Sequence, residues 1–548
     1  MTRIAPLSDL ATHEVENQPA PRDGDLSLWH GDPALRAHAA RAGADIAALD
    51  AAGAAFGGDE ARDHAAEARR DPPRLVTFDR AGRRVDEVRF NAGYHAVLDL
   101  GVRHGYAASA WDGSGRARAG GHSTHAALCY MLSQVEPGAC CPLTMTYAAV
   151  PALAADAGLA SQWRPALVSR DYDPALAPVA QKRGATVGMA MTEKQGGSDV
   201  RANSTRAVRD GDAYRLTGHK WFCSAPMSDA FLTLAQTDAG LSCFLVPRWL
   251  EGGRNRIHVQ RLKDKLGNRA NASSEIEYDN TLAWRLGDEG AGVKTIIEMV
   301  HHTRLDTAVA PAGLMRAALS EAAWWVSGRS AFQRRLIDQP LMRAVMADLT
   351  LEWDSALALA MGAARAFDDD SEGGRAFARI AVALAKYLNN KRAPAMIYEA
   401  LEVLGGMGYI EETPMPMLYR EAPLNGIWEG SGNVICLDIL RTLARAPLAA
   451  ETLRAQLHAV RGSDARYDAA LDAHFERWPA LPPESEARWY VAALAQLLAA
   501  SYLIAQAPAA VADGYVATRV AGQRGATIGA VSGLDEAAIL ERIGAQNG

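Results

Sequence analysis

The spacing of apolar residues changes twice along this chain of 548 residues, and the two changes limit the folds that it can adopt. Up to about residue 187 most apolar residues recur at helical spacing, as in Tyr94–Arg103 and His122–Gln134. From there to about Leu286 short apolar runs alternate with turn residues, which predicts strands. Long helical patterns return after Gly292. This order predicts a mainly α-helical protein with a central β domain.

These patterns divide the chain into four predicted domains. They are an N-terminal helical domain with an irregular arm (1–187), the β domain (188–288), a second helical domain (289–446) and a helical extension (447–548). The predicted strands are Ala213–Leu216, Ala230–Thr237, Cys243–Pro247, Ile257–Gln260 and Glu275–Tyr278. The predicted helices after the β domain are Val293–Ser327, with a candidate interruption at Pro311, Leu341–Asp368, Arg375–Gly405 and Ile427–Ala446.

Composition excludes several classes of protein. The chain is 49% hydrophobic and 22% charged with a net charge of −7, so any attraction to a polyanion needs a local basic patch. No apolar run approaches the roughly 20 residues that span a bilayer. The first 21 residues lack the apolar core of a signal peptide. The six cysteines show neither CxxC pairs nor histidines at metal-ligand spacing, which favours reduced thiols, a cytoplasmic location and no metal site.

The segment Met189–Asp199 carries the clearest candidate binding site. Its glycine pair, Gly196-Gly197, permits positive φ and a close approach of the backbone to a ligand. The hydroxyls of Thr192 and Ser198, with nearby backbone N–H groups, can serve an electron-rich ring or a phosphate. The alternative is a plain Gly-Gly turn with Ser198 as a helix cap.

This segment resembles a signature of the acyl-CoA dehydrogenases that lines their flavin site. The resemblance implies FAD bound against Met189, Met191, Thr192, Gly197 and Ser198. A second segment, Gly218–Ser224, resembles the family strand that runs past the isoalloxazine ring. It would contribute Phe222 in place of the usual Trp, Cys223, and Ser224 in place of the usual Thr.

Three further segments resemble the family in the same order. Lys265-Leu266-Gly267 through Ser273-Ser274-Glu275 resembles a β segment of the family. Arg329–Phe332 resembles an "RxxF" segment that reaches the FAD of a neighbouring subunit, although Gln333 stands where Gly is usual. Glu402–Tyr409 resembles "QxxGGxGY", which implies FAD contacts for Gly405 and Gly406, and Glu402 replaces Gln there. Taken singly, Arg329 could be a solvated helix residue and Gly405-Gly406 a helix C-cap.

The catalytic candidate is Glu429, in Trp428–Asn433. This segment resembles the family's "YEGT", whose Glu is the base, and it implies flavin contacts for Trp428, Ser431 and Asn433. The chemistry needs one carboxylate that removes a proton α to a thioester while hydride leaves the β carbon, and burial would raise its pKa toward the working pH. The alternative is a surface Glu in a Gly-rich turn.

A second catalytic candidate, Arg304, resembles the family's arginine near the base. It follows a pair of histidines, and His301 stands where the family usually has Asp. Such a pair is more typical of polar helix residues than of metal ligands, because nothing acidic completes a site.

Several segments resemble one branch of the family, the AidB-type proteins of the bacterial response to DNA alkylation. They are Glu14–Pro19, Cys141–Thr146, Thr192–Asp199, Asp264–Arg269 and Ile427–Asn433. The branch implies a homotetramer and binding of duplex DNA through the extension, and Arg441 and Arg519 match positions proposed to touch DNA. The alternative for both is a solvated helix face. Residues 447–548 hold eight Lys and Arg against eleven Asp and Glu, so DNA binding needs clustered charge.

The sequence therefore supports two main functions. The first is an AidB-like flavoprotein that binds duplex DNA and inactivates alkylating agents, with residual acyl-CoA dehydrogenase chemistry. The second is an acyl-CoA dehydrogenase that acts on a short or branched acyl-CoA and passes electrons to an electron-transfer flavoprotein. A third reading keeps the flavin as a structural group only.

Overall fold

The computed structural model describes residues 10–22 and 24–544. The first nine residues of the predicted arm and the last four of the predicted extension lie outside the described residues.

The N-terminal part is a set of helices with a small hairpin between the third and fourth. Its elements are α1 Pro33–Arg41, α2 Ile46–Gly57, α3 Asp59–Arg70, β1 Arg74–Phe78, β2 Arg84–Arg89, α4 Ala92–Arg103, α5 Gly121–Ser133, α6 Pro137–Leu153 and α7 Ala157–Leu167. Short polar side chains begin these helices: Asp32 accepts the Leu35 N–H at 2.8 Å, and Asn91 accepts the Tyr94 N–H at 2.8 Å. The hairpin was not predicted, although Leu75-Val76-Thr77-Phe78 is a strand-like run followed by a turn glycine.

The central part is a sheet of seven strands. Its strands are β3 Val187–Ala190, β4 Arg206–Asp210, β5 Ala213–Ser224, β6 Ala230–Thr237, β7 Gly240–Pro247, β10 Ile257–Leu262 and β11 Ser273–Leu286, while β8 Trp249–Leu250 and β9 Gly253–Arg254 pair with each other in a separate two-stranded sheet. The sheet order is β10-β11-β5-β4-β6-β3, and β7 pairs with both β11 and β6. Each of the five predicted strands lies within an observed one, while β3 and β4 were not predicted. Antiparallel pairing of β5 with β11 places Ser224 opposite Ser273.

Long helices form the rest of the chain. They are α8 Gly292–Gly328, then the hairpin β12 Ser330–Ala331 and β13 Arg334–Arg335, then α9 Pro340–Phe367, α10 Glu372–Val403, α11 Met415–Glu421, α12 Gly432–Arg445, α13 Pro447–His458, α14 Ala465–Arg477, α15 Ala487–Gln506, α16 Ala509–Tyr515 and α17 Glu536–Glu541. Helices α8, α9 and α10 pack on one another, and α15 packs on α9 and α10. These helices share one large apolar core.

Helix α8 continues through Pro311, so the candidate interruption there was wrong. A proline in a helix leaves the carbonyl four residues earlier without its N–H donor. That carbonyl belongs to Thr307, and the side-chain amide of Asn390 donates to it at 2.8 Å. A side chain from α10 thus replaces the missing backbone bond.

One stretch, Glu484–Gln506, is long and apolar enough to cross a membrane by length and composition alone. The sequence analysis did not single it out. Of its most apolar window 61% is buried, and α15 within it packs against α9 and α10. That is the environment of a core helix.

The extension is joined to α9 by buried ion pairs. Arg519 lies 2.5 Å from Asp348 Oδ1 and 3.1 Å from Glu352 Oε2, and Arg542 Nε donates to Asp354 at 2.6 Å. Arg519 is 7% exposed. The prediction that it touches DNA does not fit this location, because a guanidinium enclosed by two carboxylates has no surface to offer a phosphate.

We expect Arg519→Met to lower the free energy of unfolding by about 3–5 kcal/mol, because it leaves two buried carboxylates without their partner. Urea denaturation followed by circular dichroism measures this. Arg441→Met removes an exposed arginine and serves as the control, with an expected change within about 0.5 kcal/mol. Equal stability of the two variants would contradict the structural role of Arg519.

Candidate functional site

The loop between α11 and α12 carries Glu429 in an unusual backbone conformation. Glu429 has φ +58°, and Gly430 follows with φ +107°. Left-handed backbone costs a residue with a side chain about 1–2 kcal/mol, so neighbouring groups must hold it. The predicted helix from Ile427 starts only at Gly432, because this loop occupies the preceding residues.

Arg304 on α8 is one of the groups that hold the loop. Its Nε donates to the backbone carbonyl of Glu429 at 3.1 Å, and its Nη1 donates to Asp438 of α12 at 2.7 Å. Arg379 of α10 donates to both oxygens of the same carboxylate at 2.7 and 2.8 Å. The structure thus places Arg304 beside the predicted base, where its hydrogen bond is to the backbone of Glu429.

Lys386 on α10 also holds the loop that carries Glu429, and the sequence analysis did not identify it. It is 1% exposed, and its Nζ donates to the carbonyls of Asn425 at 2.7 Å and Trp428 at 2.9 Å. Burial lowers the pKa of Lys386 to about 7, although the charge of Glu429 opposes this. The sequence feature that could have identified Lys386 is its position as a charged residue inside the apolar helical run Ile380–Leu388.

The carboxyl group of Glu429 lies next to these cations. Its Oε2 is buried and, among the described residues, has no hydrogen-bond partner. Burial raises the pKa of Glu429, and the Thr303 hydroxyl and the charges of Lys386 and Arg304 offset only part of that effect. The result is a buried carboxyl group with a raised pKa and one oxygen free to accept a proton, as a general base requires.

Cys141 on α6 connects this loop to the end of strand β5. Burial raises the pKa of its thiol to about 12, with Lys265 and a hydrogen bond to Ser224 opposing this and Glu429 adding to it. Ser224 and Glu429 therefore both lie close to Cys141, and the volume around this thiol is the candidate site. The structure brings together two residues that are more than two hundred positions apart in the sequence.

The predicted segment Met189–Ser198 lies beside the same volume. Met189, Met191 and Trp428 pack on one apolar cluster. The Trp221 N–H donates to the Thr192 carbonyl at 2.7 Å. Gly197 lies against Thr192, so that a Cβ at this position would be 2.4 Å from the Thr192 hydroxyl.

A buried ion pair anchors this segment. Glu193 receives hydrogen bonds from Lys220 Nζ at 2.8 Å and from the Ser204 and Thr205 N–H groups at 2.7 and 3.1 Å. Burial opposes its ionisation, but the Lys220 and Thr205 bonds prevail and hold the pKa of Glu193 well below its usual range. Glu193 is thus a structural residue that is charged at neutral pH and is poorly suited to accept a proton.

The residues around this volume fit a flavin ring. Phe222, with half of its side chain exposed, offers a flat aromatic face next to Cys223 and Ser224. Thr192, Ser198 and Ser224 add hydroxyl groups, and Trp428 adds a ring whose Nε1 donates to Asn425 at 2.8 Å. Ser431 and Asn433 are exposed at the beginning of α12. An aromatic face beside short hydroxyl side chains suits a ring system with several hydrogen-bonding heteroatoms.

The remaining predicted flavin contacts lie on other surfaces. Phe332 is 92% exposed with φ +52°, in a hairpin that packs on α8, and Arg329 donates to the Asn17 carbonyl at 2.9 Å. Gly405 has φ +60° at the end of α10, and nothing lies within 4 Å of a Cβ on Gly405 or Gly406. Their exposure is what a contact with a second subunit requires.

We expect the stabilising contribution of Lys386 to rise with pH between about 7 and 10.5. In that window the unfolded chain holds a proton on this amine that the folded chain has released, so a higher pH favours the folded state. The difference in melting temperature between the wild type and Lys386→Met should therefore widen from pH 7 to pH 9. Lys391→Met, at an exposed lysine on the same helix, controls for the loss of a lysine. Parallel profiles of melting temperature against pH for Lys386→Met and the wild type would refute the expectation.

Three family models match the chain in succession. The "Adaptive response protein AidB N-terminal domain" matches residues 17–174, the "Acyl-CoA dehydrogenase, middle domain" 188–281, and the "Acyl-CoA dehydrogenase, C-terminal domain" 290–444.

Individual relatives agree with these matches. The putative acyl-CoA dehydrogenase AidB of Escherichia coli (strain K12) is 44% identical over 466 residues, which is 84% of this chain and 86% of that protein. Caenorhabditis elegans ACDH-11, solved in complex with C11-CoA, is 26% identical with a TM-score of 0.81 over 97% of this chain and 93% of that one. A structure named Bd2924 apo-form is 29% identical with a TM-score of 0.79 over 88% and 98%. The chain belongs to the acyl-CoA dehydrogenase family of oxidoreductases, in the branch with an AidB-type N-terminal domain.

Proposed function

We propose that the chain binds FAD and removes hydrogen from the α and β carbons of an acyl-CoA, with Glu429 as the base. The observation that carries the proposal is the buried Oε2 of Glu429, which has no hydrogen-bond partner among the described residues. A carboxylate that is desolvated and free at one oxygen can accept a proton there. FAD, when bound, supplies the acceptor for the hydride. Family members of this kind pass electrons to an electron-transfer flavoprotein, which we propose as the partner here.

The residues at and around the base have different roles. Glu429 accepts the α proton at Oε2, and Arg304 and Lys386 hold the backbone of its loop through the carbonyls of Glu429 and Trp428. Because burial raises the pKa of Glu429, the rate of proton abstraction should rise with pH through that pKa, where the carboxyl group becomes charged.

We expect Glu429→Gln to slow reduction of the bound flavin by short-chain acyl-CoAs by about two to four orders of magnitude, because the amide cannot accept the proton. Anaerobic stopped-flow bleaching of the flavin measures this. The flavin content of the variant should stay at the wild-type level, since the substitution leaves the loop contacts of Arg304 and Lys386 in place.

The matched control is Glu412→Gln, an exposed glutamate in the turn before α11. It should reduce flavin as the wild type does. Rapid reduction in Glu429→Gln would refute the role of the base. A wild type that binds FAD and is not reduced by any acyl-CoA tested would refute the dehydrogenase itself and favour a flavin kept for its structure.

A second function, binding of duplex DNA in the response to alkylation, is favoured by the surface beside α12. Arg441 on this helix is exposed. Burial raises the pKa of Cys436, also on α12, and the charges of Arg488 and Lys391 partly offset this, which places both exposed cations near the helix. Together with Arg441, these two cations are the candidates for the local basic patch that the acidic extension lacks as a whole.

We expect Arg441→Ala to weaken binding of duplex DNA equally for different sequences and to lower the slope of log affinity against log salt by about one. A mobility-shift assay over a range of salt measures both. Arg209→Ala, an exposed arginine on β4, is the control. Unchanged binding in Arg441→Ala would clear this arginine of the role, and a wild type that does not bind would refute DNA binding.

We also propose a homotetramer in which the outlying flavin contacts meet the FAD of another subunit. Large apolar side chains are exposed at those segments; they are Phe332, Leu341, Met407, Tyr409 and Ile410. Apolar groups clustered on a surface commonly mark an interface. A single-chain mass in light scattering would refute the assembly.

A further inference from the structure

A cavity of about 780 Å³ lies between the N-terminal helices and the β domain. The hairpin β1–β2, helices α4 and α6, the chain after α7 and several strands form its walls. None of the described residues that line it comes from α8 or from the Glu429 loop. It adjoins the site proposed for the flavin through α6, but the described residues of its walls include none of the residues proposed to hold the flavin or the acyl group.

The hairpin closes this cavity and is fastened to the sheet. Arg84 Nη2 donates to the Val259 carbonyl at 2.8 Å, and Arg254 Nη1 donates to the Val85 carbonyl. Most of the interior wall is apolar, and the volume is that of a site for a small molecule. The apolar side chains of the wall include Phe90, Leu98, Val102, Leu143, Leu167 and Ile276.

Arg248 brings a charge into this apolar wall without a partner for it. Its guanidinium has one side-chain hydrogen bond, from Nη1 to the Pro226 carbonyl at 3.1 Å, and no ion pair within the part of the chain that the structure describes. Asp229 acts on it electrostatically, but that carboxylate is bonded to Lys182 at 2.5 Å and to the Thr186 N–H at 2.8 Å. Burial lowers the pKa of Arg248, although the charge of Asp229 opposes this. Arg248 as a whole is half-buried, and its guanidinium keeps further N–H groups free at the wall of the cavity.

Two more unmet donors line the same cavity. The indole N–H of Trp249 and the hydroxyl of Tyr94 are buried and have no hydrogen-bond partner among the described residues. Tyr94 is 1% exposed. An indole N–H can only donate, so Trp249 requires an acceptor that none of the described residues provides, and Arg248 has donors left beyond its bond to Pro226. Buried donors without acceptors point to a missing ligand or solvent group.

The other charged groups of the wall do not supply that acceptor. Asp86 is bonded to Arg84 at 2.9 Å, Glu87 to Arg89 at 2.8 Å, and Asp173 accepts the Ala175 and Arg183 N–H groups at 3.0 and 3.1 Å. Asp171 lies at the exposed rim.

We propose that this cavity binds a small amphiphilic carboxylate, whose oxygens accept hydrogen bonds from Arg248 and Trp249 and whose hydrocarbon part packs on the apolar wall. A guanidinium pairs well with a planar carboxylate because two parallel N–H groups match its two oxygens. The hydrocarbon part accounts for the apolar lining, which a free inorganic anion would not use.

Titration calorimetry of the full chain with sodium octanoate tests the proposal. Octanoate should bind, and 1-octanol, which has the same chain without the charge, should bind at least roughly tenfold more weakly. Arg248→Met should weaken octanoate binding by a similar factor, because it keeps the length of the side chain and removes the donors. The matched control is Arg256→Met, at an exposed arginine just before β10. It should bind octanoate as the wild type does.

Two further variants separate this cavity from the flavin site. Glu429→Gln should bind octanoate as the wild type does. If Glu429→Gln lost octanoate binding while Arg248→Met kept it, the proposal would be overturned. Trp249→Phe keeps an aromatic ring and removes the N–H, so it should weaken octanoate binding. If Arg248→Met fails to fold, Trp249→Phe is the variant that tests the proposal. Wild-type affinity in Trp249→Phe and in a folded Arg248→Met, or equal affinity for octanoate and 1-octanol, would also overturn it.

Discussion

Arg304 joins three elements through one buried guanidinium. It extends from α8, donates to the backbone of Glu429 and pairs with Asp438 in the middle of α12. The positive φ of Glu429 is tenable only because this bond and the two from Lys386 hold the surrounding loop. Asp438 keeps its own orientation through Arg379 of α10. The position of the candidate base thus depends on contacts that reach across three long helices.

The same arrangement sets the chemistry of the loop. Arginine and lysine donors directed at backbone carbonyls stabilise the shape of the loop, while Glu429 Oε2 stays without a hydrogen bond among the described residues. Glu193 shows the opposite case. Its carboxylate receives several hydrogen bonds and a lysine, so its charge is fixed. Glu193 and Glu429 both carry enclosed carboxyl groups near the proposed flavin, and their hydrogen-bond partners distinguish the base from the anchor.

The sequence predicted the parts of the fold that rest on local periodicity. The long helices and five strands are present because their apolar residues recur at the period of the element that buries them. The sequence-based prediction failed where a residue far along the chain determines the local structure. Asn390 lets α8 pass through Pro311, and the burial of Arg519 depends on acids in α9 that are some 170 positions away. Family resemblance pointed to Glu429 and Arg304, but Lys386 has no motif, and only the packing of α10 against the loop brings it to the site.

The acids of α9 make the C-terminal extension and the helical core depend on each other. Asp348, Glu352 and Asp354 are all buried, and arginines of the last thirty residues neutralise each of them. Helices α15 and α17 of the extension cover α9 and shield these carboxylates from water. Loss of the extension would therefore remove both the cover and the cations, and the face of α9 would have to take up water to keep its charges.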